Sequence, residues 1–214
     1  MPPSHRSRLT RADWIAGAAN MIAERGVAAL AVEPLAVRLG TTKGSFYWHF
    51  TDRAALLDAV LADWVERATA DVIVEIESGA GSDPVAGPDS GTVAGGDSDA
   101  DNDRLAALLA VALADRAVVP ALEWALLSAV DDAQVAPAVA RVHRMRIDYL
   151  RELFSRRGLP QRRAEARARI CYAAYLGTLQ LRIGSGADSG AEAGSKVLAG
   201  KEYRAELLRM LAAD

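Results

Sequence analysis

The chain has 214 residues, of which 51% are hydrophobic, and a formal net charge of −3 at pH 7. This composition is typical of a globular protein with a substantial core, and no apolar run reaches the roughly 18 residues that a membrane span requires. The N-terminal residues lack the apolar segment of a secretory signal, and the single cysteine, Cys171, cannot form an internal disulfide, so we expect a cytoplasmic protein.

Charge is distributed unevenly along the chain. Residues 1–53 carry seven basic and four acidic side chains, a net charge of +3, although the chain as a whole is acidic. A basic unit on an acidic chain is a modest indication of nucleic-acid binding. For residues 1–8 two alternatives stay open, a disordered terminus and a basic arm that touches DNA.

The first two predicted helices have clear ends. Thr10, followed three residues later by Asp13, predicts a capping box at the start of the first helix, and Gly26 ends it. A second short helix is predicted from about Val32 to Leu39. Gly40 follows it and can adopt the positive φ that ends a helix.

The third helix is predicted to run from Lys43 to Phe50, with Thr41 or Thr42 as its N-cap and with Phe46 pointing inward. Two short helices joined by a glycine-containing turn indicate a helix-turn-helix. The outward face of the third helix offers hydroxyl groups, one cation, an imidazole and two large aromatic rings, and no carboxylate. Such a face suits phosphates and base edges; the alternative is that the aromatic rings belong to the core of a small three-helix unit.

The rest of the sequence also predicts helices, so the expected fold class is all-α. A long helix capped by Thr51 is predicted to continue to Ile76. Residues 79–103, rich in Gly, Ser, Pro and Asp, are expected to be a disordered linker. Its aspartates resemble a calcium loop only superficially, because the glutamate and glycine pattern of such a loop is missing, and we expect no metal. Further helices are predicted at about 104–114, 122–130, 134–157, 162–183 and 197–211.

A specific motif lies at 43–50, where the sequence reads Lys-Gly-Ser-Phe-Tyr-Trp-His-Phe and is followed two residues later by Arg-Ala-Ala-Leu-Leu. It is preceded by Ala-Glu-Arg-Gly at 23–26 and by Leu-Gly at 39–40. Over Leu9 to about Val60 the chain resembles the TetR (tetracycline-repressor-like) family of bacterial transcriptional regulators. The resemblance implies an N-terminal three-helix helix-turn-helix DNA-binding domain at 8–68 and a C-terminal helical effector-binding and dimerisation domain at 69–214.

The resemblance also implies a function, that of a homodimeric repressor which binds a palindromic operator and is released by a small-molecule effector. Small residues such as Gly177 in the helix at 162–183 are consistent with a subunit interface. Family members usually open the second helix with a hydroxyl residue and often follow it with a basic one, whereas this chain has Ala31 and Glu33. This departure keeps open the alternative of a helical ligand-binding or dimerisation module that has lost specific DNA binding.

Site residues are carried over at matching positions. We expect DNA contacts in and beside the third helix, at Thr41, Thr42, Lys43, Gly44, Ser45, Tyr47, Trp48, His49 and Arg53. We expect an effector pocket on the helices that line the family's cavity, at Trp124, Leu127, His143, Arg146, Tyr149, Tyr172 and Tyr175. The expected partners are double-stranded DNA, a second copy of the chain and an unidentified effector. We expect no cofactor and no enzyme activity, because the sequence offers no nucleophile–base pair, phosphate loop or metal cluster.

Overall fold

The computed structural model describes residues 9–78, 97–112, 118–184 and 201–212, and these residues form helices and turns without a strand. The expected all-α fold class is confirmed. By packing, the chain divides into two compact units, a first unit of Met1–Glu66 with Ala117–Ala140 and a second unit of Arg67–Arg116 with Arg141–Asp214. The functional domains at 8–68 and 69–214 stay predictions, and 117–140 pack with the N-terminal helices.

The first unit begins with α1, Arg11–Arg25. The predicted capping box is confirmed, because the Thr10 backbone N–H donates to Asp13 Oδ2 at 2.7 Å and the Asp13 backbone N–H donates to Thr10 Oγ1 at 3.3 Å. Gly26 ends the helix with a positive φ of 81°, and a 3₁₀ turn follows at Val27–Ala29. The buried face of α1 includes Trp14, Ala18 and Ile22.

The helix-turn-helix consists of α2, Val32–Arg38, and α3, Lys43–Phe46. Gly40 between them has the expected positive φ, 65°, and Thr42 is the N-cap of α3, accepting from the Ser45 backbone N–H at 3.3 Å. The regular helix is shorter than predicted. The carbonyl of Phe46 accepts from both His49 and Phe50, at 2.9 and 3.0 Å, and this shared acceptor tightens the end of α3 into a turn.

The next helix, α4, spans Arg53–Val65, and its N-cap is Asp52, which accepts from the Ala55 backbone N–H at 2.8 Å. Thr51, the predicted cap, lies one residue too early for this contact. The predicted long helix does continue past Ile76, but it contains a π-helical turn at Glu66–Ala70, which separates α4 from α5, Asp71–Glu77. The boundary between the two units falls inside this turn.

Two side chains tie the first unit together around α4. The Arg53 guanidinium donates from Nε to the Leu30 carbonyl at 2.7 Å and from Nη2 to the Val27 carbonyl at 2.9 Å. The Gln134 amide donates to the Ala54 carbonyl at 2.7 Å, which joins the segment after α7, Val118–Leu127, to the start of α4. Both side chains therefore hold the start of α4 to other segments of the first unit.

The second unit contains α6, Asp97–Ala112, the larger part of α8, Ala136–Arg156, then α9, Gln161–Gly184, and α10, Lys201–Ala212. The predicted helices agree with these bounds to within a few residues, except at the start of α6, and the predicted start of the last helix at 197–200 lies outside the described residues. A buried cluster forms the core of this unit, made by Leu105, Leu109, Leu150, Phe154, Ala164, Ala168, Cys171 and Tyr172.

The linker predicted at 79–103 is wrong in its last part, since 97–103 form the first turns of α6; residues 79–96 lie outside the described residues. Asp101 is only 1% exposed, and its Oδ1 pairs with Arg104 Nη1 at 2.8 Å and Arg156 Nε at 3.3 Å. The local excess of acidic residues predicted disorder because the distant partner, Arg156, was not visible in that stretch of sequence. None of the helices in the described ranges has the length and apolarity needed to span a membrane.

Candidate functional site

The α3 segment has one buried side and one exposed side. Phe46 and Phe50 are buried with their rings stacked at 5.6 Å, and the edge of Phe46 meets Trp14 at 5.4 Å. By contrast, Tyr47 is 54% and Trp48 is 76% exposed. Large exposed aromatic side chains mark interaction surfaces, so the alternative that Tyr47 and Trp48 are core residues does not hold.

The other predicted DNA-contacting residues surround these two rings. Thr42, Lys43 and Gly44 are exposed, and Thr41, Ser45 and His49 are half-buried. His49 turns its Nε2 inward, where it has no hydrogen-bond partner in the described part of the chain. A Cβ at Gly44 would be 3.6 Å from Thr42 Oγ1, an ordinary contact, so packing within the chain does not require glycine there.

Arg53 differs from the rest of the predicted set. Two of its nitrogens are committed to the carbonyls of Leu30 and Val27. Its guanidinium thereby holds the start of α4 to the 3₁₀ turn. We assign Arg53 this structural role and leave it out of the proposed DNA-contacting surface.

A carboxylate lies beside the exposed face, contrary to the expectation from α3 alone. Glu33 in the first turn of α2 pairs with Lys43, with 2.7 Å between Oε1 and Nζ. The Lys43 ammonium lowers the pKa of the Glu33 carboxyl, and the carboxylate raises the pKa of Lys43. No local sequence pattern predicts this pair, because the two residues are ten positions apart on different helices.

Other cations of the first unit also have partners. Arg38 forms a two-pronged pair with Glu24, with both N···O distances at 2.5 Å. The Arg11 guanidinium lies 4.9 Å from the centre of the Phe50 ring. The positive charge predicted for this unit is therefore partly engaged inside the unit.

The seven predicted effector residues are divided between the units. Trp124 and Leu127 lie on α7 in the first unit, and the other five, His143, Arg146, Tyr149, Tyr172 and Tyr175, belong to the second.

Four of the five residues in the second unit form one group, which we call the arginine–aromatic cluster: His143, Arg146, Tyr172 and Tyr175. The edge of His143 meets Tyr172 at 5.5 Å, and the Tyr172 and Tyr175 rings stack at 6.0 Å. The Arg146 guanidinium lies 5.3 Å from the Tyr175 centroid and 5.9 Å from that of Tyr172. Its Nε donates to Thr69 Oγ1 at 3.2 Å, so the cluster reaches a buried residue of the π-helical turn that the sequence analysis did not identify.

Burial disfavours the ionised forms of two further groups in the second unit. Burial, together with the nearby Glu77 carboxylate, raises the pKa of Tyr149 well above its ordinary value. Burial raises the pKa of the Cys171 thiol to about 12. Over the described residues, no group of three or more His, Cys, Asp or Glu side chains has an arrangement that could hold a metal ion.

Comparison with protein families matches residues 15–60, which include α2, the turn and α3, to the family described as bacterial regulatory proteins, tetR family. The N-terminal part of the chain is therefore similar to the helix-turn-helix domain of TetR-family regulators. A comparison with curated proteins gave no match.

Solved structures with the same fold cover nearly the whole chain. A TetR-family member from Streptomyces coelicolor is 23% identical over 95% of this chain and 98% of its own, with a TM-score of 0.60. A TetR-family regulator from Agrobacterium tumefaciens is 16% identical over 93% and 96%, with a TM-score of 0.64. SmeT, solved as a complex with triclosan, is 19% identical over 94% and 90%, with a TM-score of 0.64. At these identities the similarity establishes a shared fold.

Proposed function

We propose that this chain is a TetR-family transcription regulator, a cytoplasmic homodimeric repressor that binds a palindromic operator and leaves it when a small-molecule effector binds. One observation carries the proposal: α3 and the turn after it bury Phe46 and present Lys43, Tyr47 and Trp48 outward. Hydroxyl, ammonium and indole groups on one exposed face match the acceptors that DNA offers in its backbone and major groove.

The proposed contacts follow from what each side chain can donate. Lys43 meets a phosphate, and Tyr47 and Ser45 donate hydroxyl hydrogen bonds to phosphates or base edges. The proposed surface also includes Thr41, Thr42, Gly44, Trp48 and His49. Gly44 permits close approach of the helix backbone to DNA.

Two observations support the proposed homodimer, the short length of α3 and the exposed apolar residues on α9 and α10. One turn of α3 reads only a few base pairs, so specific binding needs two copies about 34–36 Å apart on one face of the DNA. The α9 helix leaves Ile170 61% and Leu181 59% exposed, with Ala173 and Gly177 between them, and Met210 of α10 is 66% exposed. A second copy of the chain would remove this apolar surface from water.

The arginine–aromatic cluster supports an effector with a planar or anionic group. Arg146 stacks on two tyrosine rings and donates to Thr69, so a ligand that takes over either contact changes the π-helical turn next to α4. SmeT, which has the same fold, was solved with the aromatic compound triclosan. An effector favours release only if it binds the released form more tightly.

The DNA-contacting surface is tested with a duplex that the wild-type protein selects from a randomised library. We expect Tyr47→Ala and Lys43→Ala each to weaken binding about 5- to 100-fold in fluorescence anisotropy, equivalent to about 1–3 kcal/mol. Arg163→Ala, on the exposed surface of α9, is the matched control and leaves binding unchanged. A wild-type chain that selects no sequence, but dimerises, would overturn the proposal in favour of a module that has lost specific DNA binding.

A further inference from the structure

An acidic side chain lies at the edge of the proposed DNA-contacting surface. Glu33 of α2 has its Oε1 2.7 Å from the Nζ of Lys43, the first residue of α3. Both side chains are exposed, 71% for Glu33 and 51% for Lys43. Lys43 supplies the cation of the proposed surface, so a carboxylate of the chain itself already neutralises the group that would meet DNA.

The pair contributes little to the fold. Water solvates both charges of an exposed ion pair, and holding two long side chains in one geometry costs entropy. The Arg38–Glu24 pair is different, because both terminal nitrogens of the guanidinium, Nη1 and Nη2, are engaged and the contact joins α1 to α2. Lys43 and Glu33 share a single close contact, so another anion can replace the Glu33 carboxylate readily.

A DNA phosphate offers Lys43 the same chemistry that Glu33 offers, an anionic oxygen at hydrogen-bonding distance. We propose that Glu33 sets the DNA affinity of this regulator by holding Lys43 in the DNA-free chain and giving it up to a backbone phosphate on binding. This inference rests on the DNA contact proposed above for Lys43. The released carboxylate stays beside the DNA and repels phosphates.

Two measurable consequences follow. A chain with a neutral residue at position 33 binds duplex DNA more tightly, by about 3- to 10-fold at low salt, because Lys43 no longer has to give up a carboxylate partner before it meets a phosphate. Its binding also weakens more steeply with salt, since Lys43 then displaces a full counterion from DNA. The slope of log K against log salt concentration steepens by up to about one. Both effects are similar for different sequences, because a phosphate contact carries no base information.

The experiment compares wild type, Glu33→Gln, Lys43→Gln and the double variant by fluorescence anisotropy between about 50 and 200 mM salt. The probes are the library-selected duplex and an unrelated duplex of the same length. Glu66→Gln is the matched control, because Glu66 is an exposed acid of the first unit and its replacement changes the net charge equally. We expect Glu33→Gln to tighten binding to both duplexes, and to do so much less in the Lys43→Gln background.

Three results would overturn the inference. Unchanged or weaker binding by Glu33→Gln would mean that the carboxylate positions Lys43 or contacts DNA itself. An equal gain from Glu66→Gln would assign the effect to net charge, and an equal gain in the Lys43→Gln background would assign it to general repulsion. The Lys43 contact itself is tested separately. If the Lys43→Gln single variant binds DNA as tightly as wild type, the proposed contact between Lys43 and DNA is wrong. Circular dichroism checks that all variants keep their helix content.

Discussion

The two candidate sites are assembled in different ways. The DNA-contacting surface comes from one contiguous stretch, in which the Thr42 cap and the buried Phe46 decide which side chains face outward. The arginine–aromatic cluster draws its residues from α8 and α9 and reaches Thr69 in the π-helical turn. A contiguous surface depends on a few local contacts, whereas a dispersed cluster depends on how the surrounding helices pack.

The largest expected effect comes from the residue on which the contiguous surface depends. We expect Phe46→Ala to lower the free energy of unfolding by about 3–5 kcal/mol, because it empties a fully buried site between Trp14 and Phe50. Amide hydrogen exchange then speeds up in α1 and α4, and DNA binding is lost. Trp48→Ala, on the exposed side of the same segment, is the control and changes stability by less than about 1 kcal/mol. Equal losses from both variants would contradict the two-sided arrangement.

The second prediction concerns the scaffold beneath the dispersed cluster. We expect Asp101→Asn to lower the free energy of unfolding by about 2 kcal/mol, because it removes the buried carboxylate shared by Arg104 and Arg156 and leaves them only the more exposed Glu77. Faster hydrogen exchange in α6 and α8 would report this loss. Asp148→Asn breaks an exposed pair with Arg151 and is the matched control. We expect it to lower the free energy of unfolding by less than about 0.5 kcal/mol. A similar small cost for both substitutions would show that the buried network does not stabilise the second unit.

The smallest expected effect tests the face of α9. A Cβ at Gly177 meets nothing within 4 Å in the single chain. Gly177→Ala therefore stabilises the helix by about 0.5–1 kcal/mol. In the proposed homodimer the same methyl group opposes close helix approach, so sedimentation analysis should give a weaker dimer. A more stable chain with unchanged dimer affinity would remove this face from the interface.

The sequence predicted the contiguous features well. The Thr10 capping box, the positive φ of Gly40 and the inward position of Phe46 all depend on neighbours within a few residues. Because such signals are local, spacing and residue type were enough to locate the helix-turn-helix.

Features that depend on distant residues were missed or placed wrongly. Asp101 was assigned to a disordered stretch because its partner Arg156 is distant in sequence. In the sequence Glu33 is only a departure from the family pattern. Its contact with Lys43 is not predictable there, because it depends on how α2 meets α3. The role of Thr69 depends on a π-helical turn, for which the apolar periodicity of the predicted helix gave no sign.

The most direct test of the central claim is a hydroxyl-radical footprint of the library-selected duplex, because it records where the chain covers the DNA backbone. The account predicts two protected patches on one face of the duplex, separated by about one helical turn or a multiple of it, and loss of both in the Tyr47→Ala protein. A single protected patch, or two patches that persist unchanged in Tyr47→Ala, would contradict it.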